Sequence, residues 1–339
     1  MDTMSSGEIV KRTLSFANPE RVARSCGVSD FVFGRYAPSD RATPWRGIGN
    51  GRWEHIDEWG NTWARLDATS KGEVVKGVLN DLSDMDRYDL PDYSRAEAYR
   101  AVREARAKAP DKWLVGELPG FAFGIGRKLR KLENYLLDLM LDRERIHVLH
   151  DRIDDLLVKM IRCYAGAGVD CVMIWEDWGT QDQLMLDPLE WRREFRPRFE
   201  KLCSVAHEGG VQVFMHSCGQ IRAIVPDLIQ SGIDALQFDQ PELHGIDALA
   251  SYQERNEITF WCPVDIQKTL QVRNEGAIRA KAREMLDKLW KGRGGFIAGH
   301  YTDEASIGLD PRWQEHDTDE FIRLGIRSRY SEASKGLIE

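Results

Sequence analysis

A chain of 339 residues, 42% of them hydrophobic and 30% charged, has the length of one large α/β barrel or two ordinary domains, and this balance excludes disordered and membrane-embedded classes. Its 47 Lys and Arg stand against 55 Asp and Glu, and the net charge of −8 argues against a nucleic-acid partner. No run approaches the roughly 20 apolar residues of a membrane span, and the start Met1-Asp2-Thr3-Met4 has neither the basic nor the apolar segment of an export signal, so a cytoplasmic protein without membrane contact is expected.

In chain order, residues 5–16 read as a helix, 30–34 as a candidate strand, 53–67 as a polar hairpin and 95–107 as a second helix. From residue 113 onward the pattern becomes regular. Short apolar runs at 113–118, 171–175, 211–215, 235–238, 258–261 and 296–298 alternate with amphipathic stretches at 134–166, 188–208, 221–230 and 276–290. Such alternation is the pattern of βα units around a parallel sheet. Six strands are visible, and two more from the first 112 residues would close a (β/α)8 barrel of the TIM type. The reading is one barrel domain over 1–339, with 1–112 including an N-terminal helical and hairpin elaboration; an open doubly wound sheet is the alternative.

In either architecture the loops after the strands converge on one mouth. The residues found there are Glu117; Glu176 and Asp177; His216 and Cys218; Asp239 and Gln240; Cys262 and Asp265; and His300 and Tyr301. Polar or metal-competent groups after six successive strands point to an enzyme. In Met215-His216-Ser217-Cys218-Gly219 an imidazole and a thiol stand one residue apart, which suits zinc; a catalytic zinc keeps three protein ligands and one open position. His300 is the expected third ligand, with Cys262 in reserve. Glu176 and Asp177 must point in opposite directions, so one carboxylate faces the mouth; Asp177 is assigned acid–base work together with Glu117. Trp175, Asp239, Asp265 and Tyr301 are expected to touch substrate. His147, His150 and His207, among charges, read as surface residues, and His244 as a loop residue and a weak candidate ligand. The six cysteines form no CxxC pair and fit reduced thiols. Eleven tryptophans, several near strand ends or in the N-terminal elaboration, offer flat walls for a ligand as well as core.

The blocks His216-Ser217-Cys218-Gly219 and Val225-Pro226-Asp227-Leu228, in that order, resemble the signature of the uroporphyrinogen decarboxylase superfamily. Asn18-Pro19-Glu20-Arg21-Val22, Asp57-Glu58-Trp59-Gly60, Glu176-Asp177-Trp178-Gly179 and Trp261-Cys262-Pro263-Val264-Asp265 are similar to its flanking blocks, so the likeness spans nearly the whole chain. It implies a (β/α)8 barrel with its site at the strand C-termini. Two chemistries compete in that superfamily. The resemblance to its corrinoid-linked methyltransferases implies zinc on His216 and Cys218. It also implies methyl transfer between a corrinoid, carried on a separate partner protein, and a small thiol, folate or methoxy compound. Those enzymes place a cysteine near the position of His300. The resemblance to the decarboxylases, through Gly34-Arg35-Tyr36-Ala37-Pro38, implies that Arg35 holds a substrate carboxylate in a metal-free reaction. The departures weigh against the decarboxylase: Phe31-Val32-Phe33 replaces an arginine-bearing segment, and the block with the pyrrole-gathering aspartate has no counterpart. A homodimer is compatible with either, and a barrel that binds a small molecule without turnover is the non-enzyme alternative.

Overall fold

The computed structural model describes residues 4–68 and 70–333; the Met1 to Thr3 start read above lies outside them. Twelve strands are formed by the described residues. They are β1 (Ala23–Arg24), β2 (Phe31–Gly34), β3 (Arg46–Gly49), β4 (Arg52–Ile56), β5 (Thr62–Arg65) and β6 (Glu73–Lys76). Then follow β7 (Trp113–Glu117), β8 (Cys171–Asp177), β9 (Gln212–Cys218), β10 (Ala235–Gln237), β11 (Thr259–Cys262) and β12 (Phe296–Ala298). Eight make one parallel sheet in the order β1-β12-β11-β10-β9-β8-β7-β2, each strand beside its neighbour in the chain order of the barrel, with helices outside. This is the (β/α)8 arrangement. Its two ends, β1 and β2, meet at a seam: Asp30 N–H donates to Arg24 O at 2.9 Å, and the buried Asp30 carboxylate accepts from Arg24 N–H at 2.9 Å and from the Arg21 guanidinium at 2.6 and 2.7 Å.

Alternation along the strands sends one set of side chains inward. Ala23, Phe31, Trp113, Val115, Cys171, Met173, Phe214, Ala235, Trp261 and Ile297 fill the lower barrel as one cluster. The cluster includes Ile9 and Val10 of the helix Ser6–Leu14, which plugs the N-terminal end. That helix starts where its sequence says it should: the Ser5 hydroxyl accepts from Glu8 N–H at 3.2 Å, an N-cap. The opposite strand faces pack on the outer helices in a second, larger core.

The expected hairpin at 53–67 is β4 paired with β5, but it belongs to a four-stranded antiparallel meander, β3-β4-β5-β6. The meander reaches the mouth end of the barrel on two sides. The Lys128 ammonium lies 5.7 Å from the Trp63 ring, and Lys71 Nζ lies 3.4 Å from Asp303 in the loop region after β12. Two helical stretches are broken where the sequence pattern ran on. Residues 134–166 divide into Leu132–Leu141 and Arg143–Ala167 at Asp142, and 188–208 into Pro188–Glu194 and Arg196–Glu208. Pro197 in the first turn of the last helix explains the second break, since it lacks an N–H and fits only there. His150, read as a surface residue, is fully buried between the Tyr135 hydroxyl at 2.8 Å and the Glu194 carboxylate at 2.6 Å. The helical period of Arg143–Ala167 put it on the inner face, and two polar partners made that burial tolerable.

Candidate metal centre

β8 and β9 share seven consecutive register pairs, ending Trp175↔His216, Glu176↔Ser217 and Asp177↔Cys218. The period of two then turns Trp175, Asp177, His216 and Cys218 to the inside together, while Glu176 points outward. Asp177, His216 and Cys218 offer a carboxylate oxygen, an imidazole nitrogen and a sulfur that all lie within 4.8 Å of one another. His216 Nε2 is 3.2 Å from Cys218 Sγ and 3.7 Å from Asp177 Oδ1, and Cys218 N–H donates to Asp177 Oδ1 at 3.3 Å. Arg127, on the helix Ala122–Arg130, approaches the other Asp177 oxygen at 3.5 Å.

The imidazole is oriented from behind. Its Nδ1 meets the Gln237 side-chain oxygen, and Gln237 Nε2 donates to Asp239 Oδ1 at 2.8 Å. An amide oxygen only accepts, so Nδ1 carries a proton, and Nε2 is the nitrogen turned toward Cys218 and Asp177. This is the arrangement in which a polar partner fixes a ligating histidine. The turn that follows is equally constrained. Gly219 has φ of 77°, and a Cβ there would lie 2.1 Å from Gly179 O; Gln220 N–H donates to Thr180 O at 2.8 Å, locking the loops after β8 and β9 together.

Charge in the group is divided. Burial opposes ionisation of Asp177, but the neighbouring His216 and Arg127 outweigh it and hold the carboxyl below its usual range. Burial, then the Asp177 and Asp239 carboxylates, push the Cys218 thiol up. A cation placed among the three would relieve both features, stabilising the carboxylate and replacing the thiol proton, and nitrogen, sulfur and oxygen are all donors zinc accepts. Glu176, on the other face, is 2% exposed; it accepts from Phe121 N–H at 2.7 Å and Gly124 N–H at 2.9 Å, and burial lifts its carboxyl to about 7.

The remaining expected residues fall in three places. Trp175 and Asp239 are beside the group, the Trp175 ring 5.3 Å from the imidazole. Glu117 and Arg35 lie on the β7 and β2 side of the mouth; Arg35 makes no ion pair among the described residues, with Tyr36, Glu117 and Glu58 as the groups that raise its pKa against burial. His300 lies outside the 4.8 Å group, with Nε2 3.4 Å from Glu304 Oε1 and a buried Nδ1 that has no partner. Tyr301 is tied to Gln314 by its backbone: Tyr301 N–H donates to Gln314 Oε1 at 2.7 Å, and Gln314 Nε2 donates to Tyr301 O at 2.8 Å. Asp265 is 1% exposed, and its oxygens accept from the N–H groups of Glu242, Gln267 and Lys268 at 2.8 to 3.1 Å, which anchors the loop after β11. Cys262 is fully buried. Gln237 and Arg127 were missed in the sequence; the period-two spacing of Gln237 from Asp239 was the available signal for the first, and nothing marked the second.

A parallel eight-stranded ring with a nitrogen, sulfur and oxygen donor set at the C-terminal ends of adjacent strands defines a TIM-barrel protein with an enzyme-like mouth. The chain belongs to the uroporphyrinogen decarboxylase (URO-D) family, whose profile matches residues 67–300. Among solved structures it is similar to a methyltransferase from Methanosarcina mazei, at TM-score 0.57 and 15% identity over 76% of this chain and 74% of that one. Weaker likeness is found to a glycosylated endo-beta-1,4-xylanase from Gloeophyllum trabeum, with TM-score 0.39, 9% identity and coverage of 67% and 80%. A 3-keto-D-glucoside 4-epimerase from E. coli gives TM-score 0.38, 14% identity and coverage of 66% and 83%. At these identities the shared property is the barrel. No curated protein sequence matches the chain. Among the described residues no helix is long and apolar enough to cross a membrane.

Proposed function

We propose that the protein is a zinc-dependent methyltransferase that moves a methyl group between a corrinoid, presented by a separate protein, and a small thiol, folate or methoxy compound. The observation that carries this reading is the Asp177, His216 and Cys218 group at the barrel mouth. His216 and Cys218 are two of the zinc donors; Asp177, already within reach, is the third, and His300 takes that place if it exchanges Glu304 for the metal. A bound zinc would supply Lewis acidity toward a thiol or an ether oxygen. The chain's own residues do the rest. Gln237 holds the His216 ring in the ligating tautomer. Arg127 draws off part of the Asp177 charge. Glu117, on the inward face of β7, moves the proton that a thiol gives up or a released alcohol takes.

The test is metal content followed by corrinoid spectroscopy. Reduced, chelator-free protein is expected to hold about one zinc per chain, and His216→Ala and Cys218→Ala to hold almost none; comparison of Asp177→Asn with His300→Ala identifies the third ligand. Methylcobalamin with thiols, or reduced cobalamin with methoxy compounds, should change its absorption spectrum in the presence of the wild type and not of His216→Ala. Carbon dioxide released from a carboxylated aromatic or a porphyrinogen, with the corrinoid spectrum unchanged, would replace this reading with the metal-free decarboxylase, in which Arg35 holds the carboxylate.

A further inference from the structure

Consecutive residues at the end of β8 engage one helix, Ala122–Arg130, in different ways. Glu176 accepts from Phe121 N–H at 2.7 Å and from Gly124 N–H at 2.9 Å. Trp178 stacks on Phe123, with ring centres 4.5 Å apart. Asp177, between them and on the opposite strand face from Glu176, meets the Arg127 guanidinium at 3.5 Å. The helix does not cap itself: its N-cap residue, Phe121, makes no side-chain hydrogen bond, although the first N–H groups of a helix need acceptors from outside it. Glu176 brings that acceptor from β8, and the fit is close, since a Cβ on Gly124 would lie 2.3 Å from Glu176 Oε1. Arg127 follows Gly124 by three residues, so the two stand on one face of the helix. Whatever fixes the helix at Gly124 therefore fixes where Arg127 reaches. Glu176 is 2% exposed and has no part in the donor group described above.

We propose that Glu176 is a positioning residue for the metal centre: by anchoring the N-terminus of the helix Ala122–Arg130 it holds Arg127 on one oxygen of Asp177, so that Asp177 offers only its other oxygen beside His216 and Cys218. The assignment rests on the metal-centre reading above and not on which group is transferred there. The two Asp177 oxygens already differ in company. Oδ1 accepts from Cys218 N–H at 3.3 Å and lies 3.7 Å from His216 Nε2, whereas Oδ2 faces Arg127. A carboxylate with both oxygens free can ligate a cation through one or through both. A guanidinium on one of them leaves a single oxygen for the cation. A catalytic zinc keeps three protein ligands and one open position, and a carboxylate that contributed twice would close it. Glu176 thus acts at a distance, through the helix and Arg127, on how many oxygens Asp177 gives.

Cobalt(II) in place of zinc reads the donor set by its absorption, because four-coordinate cobalt absorbs strongly in the visible and cobalt of higher coordination weakly, while a near-ultraviolet band reports the Cys218 thiolate. In the cobalt protein, Glu176→Leu and Arg127→Gln should each weaken the visible bands by about twofold or more and leave the near-ultraviolet band in place. Glu176→Gln keeps an oxygen for the two N–H groups and should retain the wild-type spectrum. In an Asp177→Asn background, Glu176→Leu should change nothing further. A cap with a purely structural role would move thermal stability and not these bands. Circular dichroism shows that each variant is folded, and Gly124→Ala, which favours the helix but crowds the carboxylate, serves where Glu176→Leu does not fold. Wild-type bands in folded Glu176→Leu or Gly124→Ala, or a Glu176→Gln spectrum as altered as that of Glu176→Leu, would overturn the assignment. If the wild type takes up no cobalt, the assignment and the function proposed above fall together. If the bands respond as stated but no methyl group reaches or leaves a corrinoid, the function falls and the role of Glu176 stands. If methyl transfer proceeds while Glu176→Leu keeps the wild-type bands, the role of Glu176 falls alone.

Discussion

The floor and the mouth of this barrel are built from the same strands, with the same alternation, two residues apart. Val115, Met173 and Phe214 are buried to within 1% of complete and pack with Trp261 in the floor; two residues further along the same three strands stand Glu117, the half-exposed Trp175 and His216, two of them polar. The lower row contributes packing and the upper row donors and acceptors. A barrel can thus separate stability from chemistry by roughly 7 Å along one strand, because the inward faces of neighbouring strands already bring side chains together at both heights.

The comparison breaks first, and most visibly, at the floor. Trp261→Ala removes a side chain that is 6% exposed and stacked on Phe31, and should cost about 3–5 kcal/mol in urea unfolding. A loss below about 1 kcal/mol would mean that the floor is not the packed half. A smaller effect is expected from His244, a 2%-exposed ring stacked 4.2 Å from Phe238 in the shell beside the mouth. Burial, with Arg222 nearby, draws its pKa down to about 4, so the folded chain keeps the ring neutral where an unfolded chain, with a value near 6.5, takes up a proton. The stability this ring permits is complete above pH 6.5 and is lost as pH falls toward 4, by up to about 3 kcal/mol. His244→Leu should flatten that part of the stability profile whatever its starting stability, and an unchanged slope would assign the acid sensitivity to other groups. The smallest effect on folding belongs to the mouth. Cys218→Ala should move the unfolding midpoint of the chelator-treated protein by less than about 1 kcal/mol while abolishing metal uptake. A loss as large as that of Trp261→Ala would make Cys218 a packing residue and erase the division.

Much of this layout was legible in the sequence, and the parts that were not share a cause. All six strands expected from residue 113 onward are present, because apolar runs of three to seven residues bounded by charged helices leave few alternatives. β1 was not recognisable: it is two residues long, and pairing with β12 rather than local pattern makes it a strand. β3 and β6 escaped for a related reason, since Arg46-Gly47-Ile48-Gly49 and Glu73-Val74-Val75-Lys76 are mostly exposed and carry little alternation. At the site, His216 and Cys218 could be found by spacing within one strand. The approach of Asp177 to them depends on the β8–β9 register, and register is a property of two strands that neither strand's own pattern states.

The seam between β1 and β2 bears on how the chain is made. β1 takes its partner from β12, and Val22 N–H donates to Gly325 O at 2.8 Å, so these residues find their neighbours only some three hundred positions later in the chain. On a ribosome the nascent sheet must wait with an unpaired edge until nearly three hundred residues have emerged, at about 5–20 residues per second. The buried Arg21 and Asp30 pair sits at that edge, close in sequence and able to form early. It gives the waiting edge a charged, hydrogen-bonded end where a bare strand would invite another chain to add.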